Sequence, residues 1–361
     1  MTADTVGGVW NYSLGLAAAL RMHGVHVDLA TMGPLPSESQ RQEASLLTNI
    51  TLHESSYRLE WMEEPWNDVA DAGNWLLELE RELRPDIVHL NGYAHGALPW
   101  SAPVCLVGHS CVLSWWEAVH RESAPDKWYE YRTAVTEGIR AADQVIAPSF
   151  TMLEALRRWY GPLPRSSVIH NGIPANRFYS AGKLPIVFAA GRLWDKAKNL
   201  DLLIRSAPEL PWPIAIAGDG NTNLPLPGNV SLLGKLSAQK LVNYFAVASI
   251  YCLPARYEPF GLSVLEAALS GCALVLGDID SLRELWSNAA LFVPPDDPAA
   301  LTRTLQELME HAGTREKFAW LAKERANHFS AQAMAASYLQ IYECLSGALR
   351  MTNQRYRVFQ S

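Results

Sequence analysis

Two glutamates eight positions apart, Glu258 and Glu266, flank a Pro-Phe-Gly turn and the start of an apolar helical run, Leu262–Leu269. A helix entered at Gly261 presents free backbone N–H groups at its start, and such ends attract anions, above all phosphates. At about 3.6 residues per turn, Glu266 lies roughly one and a half turns into this helix. A ligand with its phosphate at the helix start would meet one carboxylate on each side, and a nucleotide-sugar has this layout. An ordinary surface helix carrying two glutamates is the alternative.

Two cations follow another apolar segment. Arg192 and Lys198 lie between the predicted strand Ile186–Ala190 and the predicted helix Asn199–Ala207. Arginine offers a planar fork for phosphate oxygens and lysine a mobile point charge, so both suit one diphosphate beyond the strand end. Lys196 competes with Lys198 for this role, and a solvated basic loop has the same composition.

A pair of glycines, Gly7 and Gly8, opens the helical pattern Trp10–His23. Glycines at such a turn let the backbone approach an anion and leave N–H groups free, although a plain tight turn also uses them. The preceding segment, Met1–Asp4, is short for a first strand, so either the natural start lies upstream or the strand is truncated. The sequence leaves both options open.

Tryptophan is abundant, and nine of the 13 tryptophans precede residue 160. Sugar rings stack on aromatic faces, so Trp115 and Trp116 are the first candidates for contact with an acceptor, ahead of Trp66 and Trp100. Core packing is the alternative for each of them, because tryptophan contributes a large buried area.

Length and composition indicate a soluble enzyme with two domains. The chain has 361 residues, more than one core usually holds, with 49% hydrophobic and 19% charged residues. No apolar run has the length of a membrane span, and no signal-peptide pattern is present. The five scattered cysteines favour reduced thiols over a metal cluster. We therefore expect a cytoplasmic protein, with peripheral attachment to the inner membrane as an alternative.

The formal charge of −7 is uneven. Residues 1–178 hold 13 Lys plus Arg and 21 Asp plus Glu, a net −8, whereas the remainder holds 17 and 16, a net +1. An acidic first half argues against nucleic acid and against broad docking on anionic lipid. It favours a neutral saccharide or small molecule over a membrane lipid as a binding partner.

Apolar strands alternate with helical stretches in both halves, which predicts two doubly wound domains with parallel sheets. The joint is expected near Tyr179–Pro185, and a long amphipathic helix, Ala331–Leu349, is expected to return onto the first domain. Ligands bind beyond the carboxyl ends of such strands, so two facing sheets predict a cleft for two substrates. The predicted strands are Val25–Ala30, Asp86–Leu90, Val104–Gly108, Gln144–Ala147, Ile186–Ala190, Ile214–Ala217, Val230–Leu233, Ile250–Leu253 and Ala273–Leu276.

These segments together resemble the retaining glycosyltransferases of family 4, also described as glycosyl transferases group 1, which have the GT-B fold. The resemblance rests on Glu258–Glu266, Gly191–Leu193 with Lys198–Asn199, Gly7–Gly8, His170–Ile173 with Phe178, and Ala217–Gly220 with Leu233–Gly234. It covers nearly the whole chain and is strongest from Val187 to Pro294. It implies two Rossmann-like domains facing a deep cleft. Residues 1–179 and a C-terminal helix of about 333–361 would form the acceptor-side domain, and residues 180–332 the nucleotide-sugar-binding domain.

The resemblance also implies residue roles. Glu258 matches the glutamate at the donor hexose hydroxyls, and Glu266 the glutamate at the ribose hydroxyls. Arg192 and Lys198 match the pair that neutralises the diphosphate, with one more residue between them than in the commoner form. His109 matches a histidine near the donor sugar, with a strand-end cap as the alternative. The remaining donor-side positions implied are Gly7 and Gly8 near the phosphate, Phe260, Gly261 and Leu262 at the sugar and distal phosphate, and Gly234 and Leu236 at the base.

The expected activity is retaining transfer of a hexose from a nucleoside-diphosphate sugar to a hydroxyl acceptor. UDP-sugars are favoured over GDP-mannose and ADP-glucose, and the family reacts front-side without a protein nucleophile. No cofactor and no metal are expected, although Asp278-Ile279-Asp280 imitates the metal motif of the other glycosyltransferase fold. Two alternatives are a GT-B-fold epimerase of nucleotide-sugars and a non-catalytic nucleotide-sugar-binding subunit.

Overall fold

A computed structural model describes residues 1–358, with side chains for residues 1–347. Contacts divide the chain into two compact units. Unit 1 comprises Met1–Ser114, Ser123–Gly172 and the chain from Ala331 onwards, and unit 2 comprises Trp115–Glu122 and Ile173–Ser330. The predicted domains, an acceptor-side domain of 1–179 with a helix of about 333–361 and a nucleotide-sugar-binding domain of 180–332, stay predictions. The end of that helix, residues 359–361, lies outside the described residues.

Unit 1 contains two sheets in which every pairing is parallel, as expected for sheets covered by helices. The first has the order β1-β2-β3 and the second β4-β5-β6-β7. The strands are β1 (Thr2–Asp4), β2 (Val27–Met32), β3 (Ile50–Glu54), β4 (Val88–Leu90), β5 (Val104–Val107), β6 (Gln144–Ala147) and β7 (Ser166–Val168).

Helices connect most of these strands, with a 3-10 turn between β4 and β5 and two helices between β5 and β6. They are α1 (Gly8–Leu20), α2 (Glu38–Ser45), α3 (Trp66–Leu83), α4 (Val112–His120), α5 (Tyr129–Ala141) and α6 (Phe150–Tyr160). From Trp115 onwards, α4 belongs to unit 2. The long C-terminal helix, Ala331–Val358, packs on α1 through an apolar cluster that includes Tyr12, Leu16 and Tyr338. The predicted return of this helix onto the first half of the chain is confirmed.

Unit 2 has one six-stranded parallel sheet in the order β10-β9-β8-β11-β12-β13. The chain adds strands outward on one side of β8, then returns to start the other side with β11, so the topological switch point lies between these two strands. The strands are β8 (Leu184–Ala190), β9 (Ile214–Ala217), β10 (Val230–Gly234), β11 (Ala248–Leu253), β12 (Ala273–Gly277) and β13 (Leu291–Val293).

The helices of unit 2 cover this sheet, and strands β9, β11 and β12 are buried along their whole length. They are α7 (Leu200–Ser206), α8 (Ala238–Val247), α9 (Leu262–Leu269), α10 (Asp280–Trp286), α11 (Pro298–Glu310) and α12 (Ala312–Ala326), and the C-terminal helix described above is α13 (Ala331–Val358). The α/β class with parallel sheets is confirmed. No helix within the described residues combines the length and the apolar character that crossing a membrane requires.

Candidate functional site

Three of the predicted site residues of unit 2 lie at the switch point of its sheet. Arg192 and Lys198 lie in the loop that follows β8, and Glu258 lies in the loop that follows β11. Because β8 and β11 are parallel neighbours, their carboxyl ends open at the same edge of the sheet. This edge is where ligands bind in open α/β sheets.

Lys198 contacts Glu258 directly, with 2.6 Å between Nζ and the carboxylate. Both side chains are largely buried, at 19% and 12% exposure. The glutamate is also fixed through its backbone, because the Ser281 hydroxyl donates to its carbonyl oxygen at 2.7 Å. Lys196 is exposed instead. Of the two competing lysines, the structure brings Lys198 to the glutamate.

Arg192 is held by two neighbours in its own loop. Its Nη2 donates to Asp195 at 2.8 Å, and its guanidinium lies 4.8 Å from the ring centre of the half-exposed Trp194. Burial alone would raise the pKa of Asp195, but the hydrogen bond from Arg192 and the nearby positive charges outweigh it and lower that pKa. Asp195 is therefore an ionised, buried carboxylate.

Asp195 was not predicted as a site residue, and it also receives a hydrogen bond from a predicted one. The Trp115 indole N–H donates to Asp195 at 3.1 Å. Trp116 lies beside it and packs on His120, with ring centres 4.4 Å apart. Both tryptophans are half-buried. Their contact with an acceptor stays a prediction.

Helix α9 begins as predicted, immediately after Gly261. This glycine has φ of +87°, a left-handed conformation that favours glycine. The N–H groups of Val264 and Leu265 donate to its carbonyl oxygen, whereas those of Leu262 and Ser263 have no hydrogen-bond partner among the described residues. The helix start therefore offers free donors to an anion, as the sequence predicted.

The two flanking aromatic residues fix this helix start. Phe260 is buried and packs edge-on against Phe329, with ring centres 5.5 Å apart. The buried Tyr251 hydroxyl, on β11, lies 2.8 Å from Ser263 Oγ and 3.2 Å from the carbonyl oxygen of Ala190. One side chain thus joins the end of β8 to the first turn of α9.

Glu266 lies one turn further along α9. Burial raises its pKa from 4.5 to about 7, an effect that the positive charge of Arg177 partly opposes. At neutral pH this carboxylate is therefore close to half ionised. A group of this kind can accept hydrogen bonds from ligand hydroxyls when ionised, which fits the predicted ribose contact.

The loop after β9 bonds through its backbone both to the segment predicted to receive the base and to the Arg192 loop. The Gly218 N–H donates to the carbonyl oxygen of Gly234 at 3.0 Å, and the Leu193 N–H donates to that of Asp219 at 2.8 Å. A Cβ at position 218 would lie 1.7 Å from the Gly191 carbonyl oxygen, so only glycine fits there. Leu236 packs against the core of the unit.

Unit 1 holds the predicted His109. Its Nε2 lies 2.8 Å from Asn91 Oδ1, and its ring packs edge-on against Tyr12 with centres 4.4 Å apart. Asn91 Oδ1 is identified as the acceptor side because Nδ2 donates to the Thr2 carbonyl oxygen at 2.7 Å. Burial lowers the pKa of His109 to about 3, so the ring is neutral. Asn91 and Tyr12 were not predicted, and their role at this histidine emerges only from the fold.

The Gly7–Gly8 turn precedes α1 as predicted. The Gly7 N–H donates to the Asp4 carboxylate at 3.1 Å, and the Val6 N–H donates to the same oxygen at 3.0 Å. One of the two glycine N–H groups is thus already engaged. The predicted roles of Gly7, Gly8 and His109 toward a donor stay predictions.

The Asp-x-Asp segment that imitates a metal motif is held by an ion pair. Both carboxylate oxygens of Asp278 accept hydrogen bonds from Arg283. Within the described residues, no group of three or more His, Cys, Asp or Glu side chains is arranged to hold a metal ion. The expectation that no metal or cofactor is needed stays a prediction.

Two family models match successive parts of the chain. The model described as Glycosyltransferase Family 4 matches residues 6–177, and the model described as Glycosyl transferases group 1 matches residues 184–311. Together they cover most of both units.

Named relatives agree on glycosyl transfer. The chain is 28% identical to a glycogen synthase of Mycobacterium tuberculosis over 74% of this chain and 70% of that protein. It is 26% identical to a phosphatidyl-myo-inositol mannosyltransferase of Mycolicibacterium smegmatis over 60% of this chain and 62% of that protein.

Solved structures share the complete fold at low identity. A sucrose-phosphate synthase from Thermosynechococcus elongatus has a TM-score of 0.81 and 19% identity, covering 96% of each chain. Anabaena HepE, solved in complex with UDP-glucose, has a TM-score of 0.76 and 16% identity, covering 96% of this chain and all of that one. The predicted GT-B fold is confirmed.

Proposed function

The chain belongs to glycosyltransferase family 4, and we propose that it moves a hexose from a nucleoside-diphosphate sugar to a hydroxyl acceptor with retention of anomeric configuration. The observation that carries this proposal is the meeting of Arg192, Lys198 and Glu258 at the switch point of unit 2, beside the free N–H groups of α9.

The proposed chemistry follows from where charge develops. Breaking the anomeric C–O bond leaves positive charge on the sugar and adds negative charge to the departing diphosphate. Arg192, Lys198 and the start of α9 supply a cation pair and oriented N–H donors for that leaving group. For Lys198 to reach a phosphate oxygen, its ammonium has to leave Glu258 or share its three donors between the two.

We propose a front-side reaction in which the leaving phosphate oxygen takes the acceptor proton. The bond from the anomeric carbon to the diphosphate breaks, the bond to the acceptor oxygen forms on the same face, and the proton ends on the diphosphate. No protein nucleophile is needed. Glu258 acts as a positioning group for the donor hexose, a role that its largely buried, ion-paired carboxylate supports.

UDP-sugars are the favoured donors. The similarity in fold to Anabaena HepE, which was solved with UDP-glucose, supports this choice. The named relatives include a glycogen synthase and a phosphatidyl-myo-inositol mannosyltransferase, so they do not agree on an acceptor. We propose a saccharide or small-molecule hydroxyl, supported by the net charge of −8 over residues 1–178. The proposal includes no metal and no other cofactor.

A thermal-shift panel tests the donor. UDP, GDP, ADP and their sugars are added separately, and a ligand that binds only the native state raises the melting temperature. We expect the largest shift with UDP and UDP-sugars. A protein that responds to none of these nucleotides would contradict the proposed function.

Product analysis separates transfer from the alternatives. The protein is incubated with the donor that binds, with and without a panel of saccharide acceptors, and the anomeric proton coupling of the product is read by NMR. Retained configuration in a new glycoside supports the proposal. An epimer formed without acceptor would identify an epimerase, and nucleotide binding without any product would favour a binding subunit.

A further inference from the structure

Asp195 is a buried aspartate between the two predicted cations, and the family resemblance gives it no role. Its side chain is 5% exposed. The carboxylate accepts from Arg192 Nη2 at 2.8 Å, from Trp115 Nε1 at 3.1 Å and from the Ala197 N–H at 3.0 Å. A buried carboxylate with three donors is fixed in place, because turning it would leave buried polar groups without partners.

Two contacts restrain the Arg192 guanidinium, one at an edge and one on a face. Nη2 is bound to Asp195, and the ring of Trp194 lies 4.8 Å from the guanidinium carbon. Nη1 has no hydrogen-bond partner among the described residues, and the side chain is 35% exposed. The free edge is therefore available to an oxyanion, and the arginine has already lost the rotamer freedom that binding would otherwise remove.

The net charge of the side chains around Asp195 indicates that this residue does not serve to attract an anion. The four charged side chains at the switch point form two pairs, Arg192 with Asp195 and Lys198 with Glu258. Their formal charges cancel. Removing the Asp195 charge would leave the group at +1 and strengthen its attraction for a diphosphate. Orientation of Arg192 is the contribution that remains for this carboxylate.

We propose that Asp195 is a positioning residue that aims the Arg192 guanidinium at the leaving diphosphate, and so raises turnover without tightening nucleotide binding. The inference rests on the proposed function, because that function assigns Arg192 to the diphosphate. Trp115 helps to fix Asp195, since its indole N–H donates to the carboxylate oxygen that Arg192 does not contact.

The first test replaces Asp195 by Asn, which keeps the shape of the side chain and removes its charge. We expect kcat to fall by about tenfold or more, as loss of orientation at a reacting group does. We expect the Kd for UDP to stay the same or decrease, because the pocket becomes more positive. The matched control is Glu80→Gln, another buried carboxylate, which accepts the N–H groups of Ser101 and Ala102 in unit 1.

The second test places Asp195→Asn in an Arg192→Ala background. If Asp195 acts through Arg192, the double variant has the kcat of Arg192→Ala alone, because no guanidinium is left to aim. Melting temperatures of all variants are measured in parallel. Asp195→Glu is the second variant if Asp195→Asn does not fold: it keeps the charge, displaces the acceptor oxygen by one methylene, and is expected to lower kcat at unchanged Kd.

The outcomes are distinct. A fall in kcat at unchanged or tighter UDP binding, absent from the Arg192→Ala background, supports the inference. Equal losses in kcat and UDP affinity, additive effects in the double variant, or wild-type kcat in either Asp195 variant overturn the positioning role while leaving the proposed function intact. A wild-type protein that binds no nucleoside diphosphate overturns both.

Discussion

The surroundings of His109 in unit 1 and the two ion pairs at the switch point of unit 2 accommodate buried polar side chains in different ways. Polar side chains that leave water must be hydrogen-bonded, and charges must be paired or neutralised. In unit 1, burial lowers the pKa of His109 to about 3, and the neutral ring is bonded to Asn91. In unit 2, the largely buried Lys198 forms an ion pair with Glu258, with 2.6 Å between the ammonium nitrogen and the carboxylate.

This difference predicts which substitutions change the stability of the protein and which change ligand binding and turnover. A neutral hydrogen-bonded network contributes mainly to stability, because its loss leaves unsatisfied buried groups. A pair of opposite charges can separate when a ligand brings its own charge, so its loss should appear mainly in ligand binding and turnover. The following substitutions test this division.

Arg192→Ala should have the largest effect. It removes a donor that is proposed to meet the charge developing on the diphosphate, and turnover should fall on the order of a hundredfold or more. Steady-state kinetics with the donor identified by thermal shift measures this. Arg205→Ala is the matched control, because Arg205 is an exposed arginine on α7 of the same unit. Unchanged turnover in Arg192→Ala would count against the diphosphate assignment.

Asn91→Leu should act on stability. Asn91 accepts from His109 and His89 and donates to the Thr2 carbonyl oxygen, so leucine leaves several buried groups unsatisfied. We expect a loss of about 2 kcal/mol in the free energy of unfolding, measured by urea denaturation. Asn74→Leu, on the exposed face of α3, is the control. An Asn91→Leu protein as stable as wild type would contradict the stabilising role of this network.

Lys198→Ala should lower kcat/KM for the donor by about tenfold or more, since it removes a cation and leaves a largely buried glutamate unpaired. Lys196→Ala is the internal control. That lysine is exposed, and a surface charge of this kind contributes little, so we expect kinetics within about threefold of wild type. If Lys196→Ala lowered kcat/KM and Lys198→Ala did not, the diphosphate contact would belong to Lys196.

The pH dependence of donor binding should give the smallest effect. Glu266 has a folded-state pKa of about 7, above its usual 4.5, so it ionises as pH rises through neutrality. The folded state holds this proton more tightly than the unfolded chain, so stability from this group is lost as pH rises from about 4.5 to 7. Affinity for ribose hydroxyls changes in the opposite direction, because the ionised form accepts their hydrogen bonds.

Between pH 6 and 8 the ionised fraction rises from about one tenth to nine tenths, so affinity should increase by at most about tenfold. Calorimetry with UDP-glucose measures it, since the diphosphate diester does not titrate in this range. Glu266→Gln should remove the dependence. A flat profile in the wild type would contradict a ribose contact by this residue.

The sequence predicted the elements that carry strong apolar patterns. Helix α9 matches its predicted bounds, and each predicted strand corresponds to an observed one, because buried parallel strands leave uninterrupted apolar runs. Strands β3, β7 and β13 were missed. β7 and β13 have only three residues each, and β3 interrupts its apolar residues with the exposed Thr51 and Glu54.

The site was predicted less completely, for a physical reason. Glu258, Lys198 and Arg192 follow strands that the pattern reveals, so their meeting at one edge follows from topology. The bond from Trp115 to Asp195 joins residues 80 positions apart, and no local pattern encodes it. An acidic residue between basic ones in a loop could have indicated an internal partner for Arg192, and that signal was present.

The backbone contact at Gly218 bears on redesign of donor preference. Loops after β8 and β9 touch there with no room for a side chain, since any Cβ would overlap the Gly191 carbonyl oxygen. Libraries that randomise Leu233–Leu236, the segment predicted to receive the base, should therefore keep Gly218 constant.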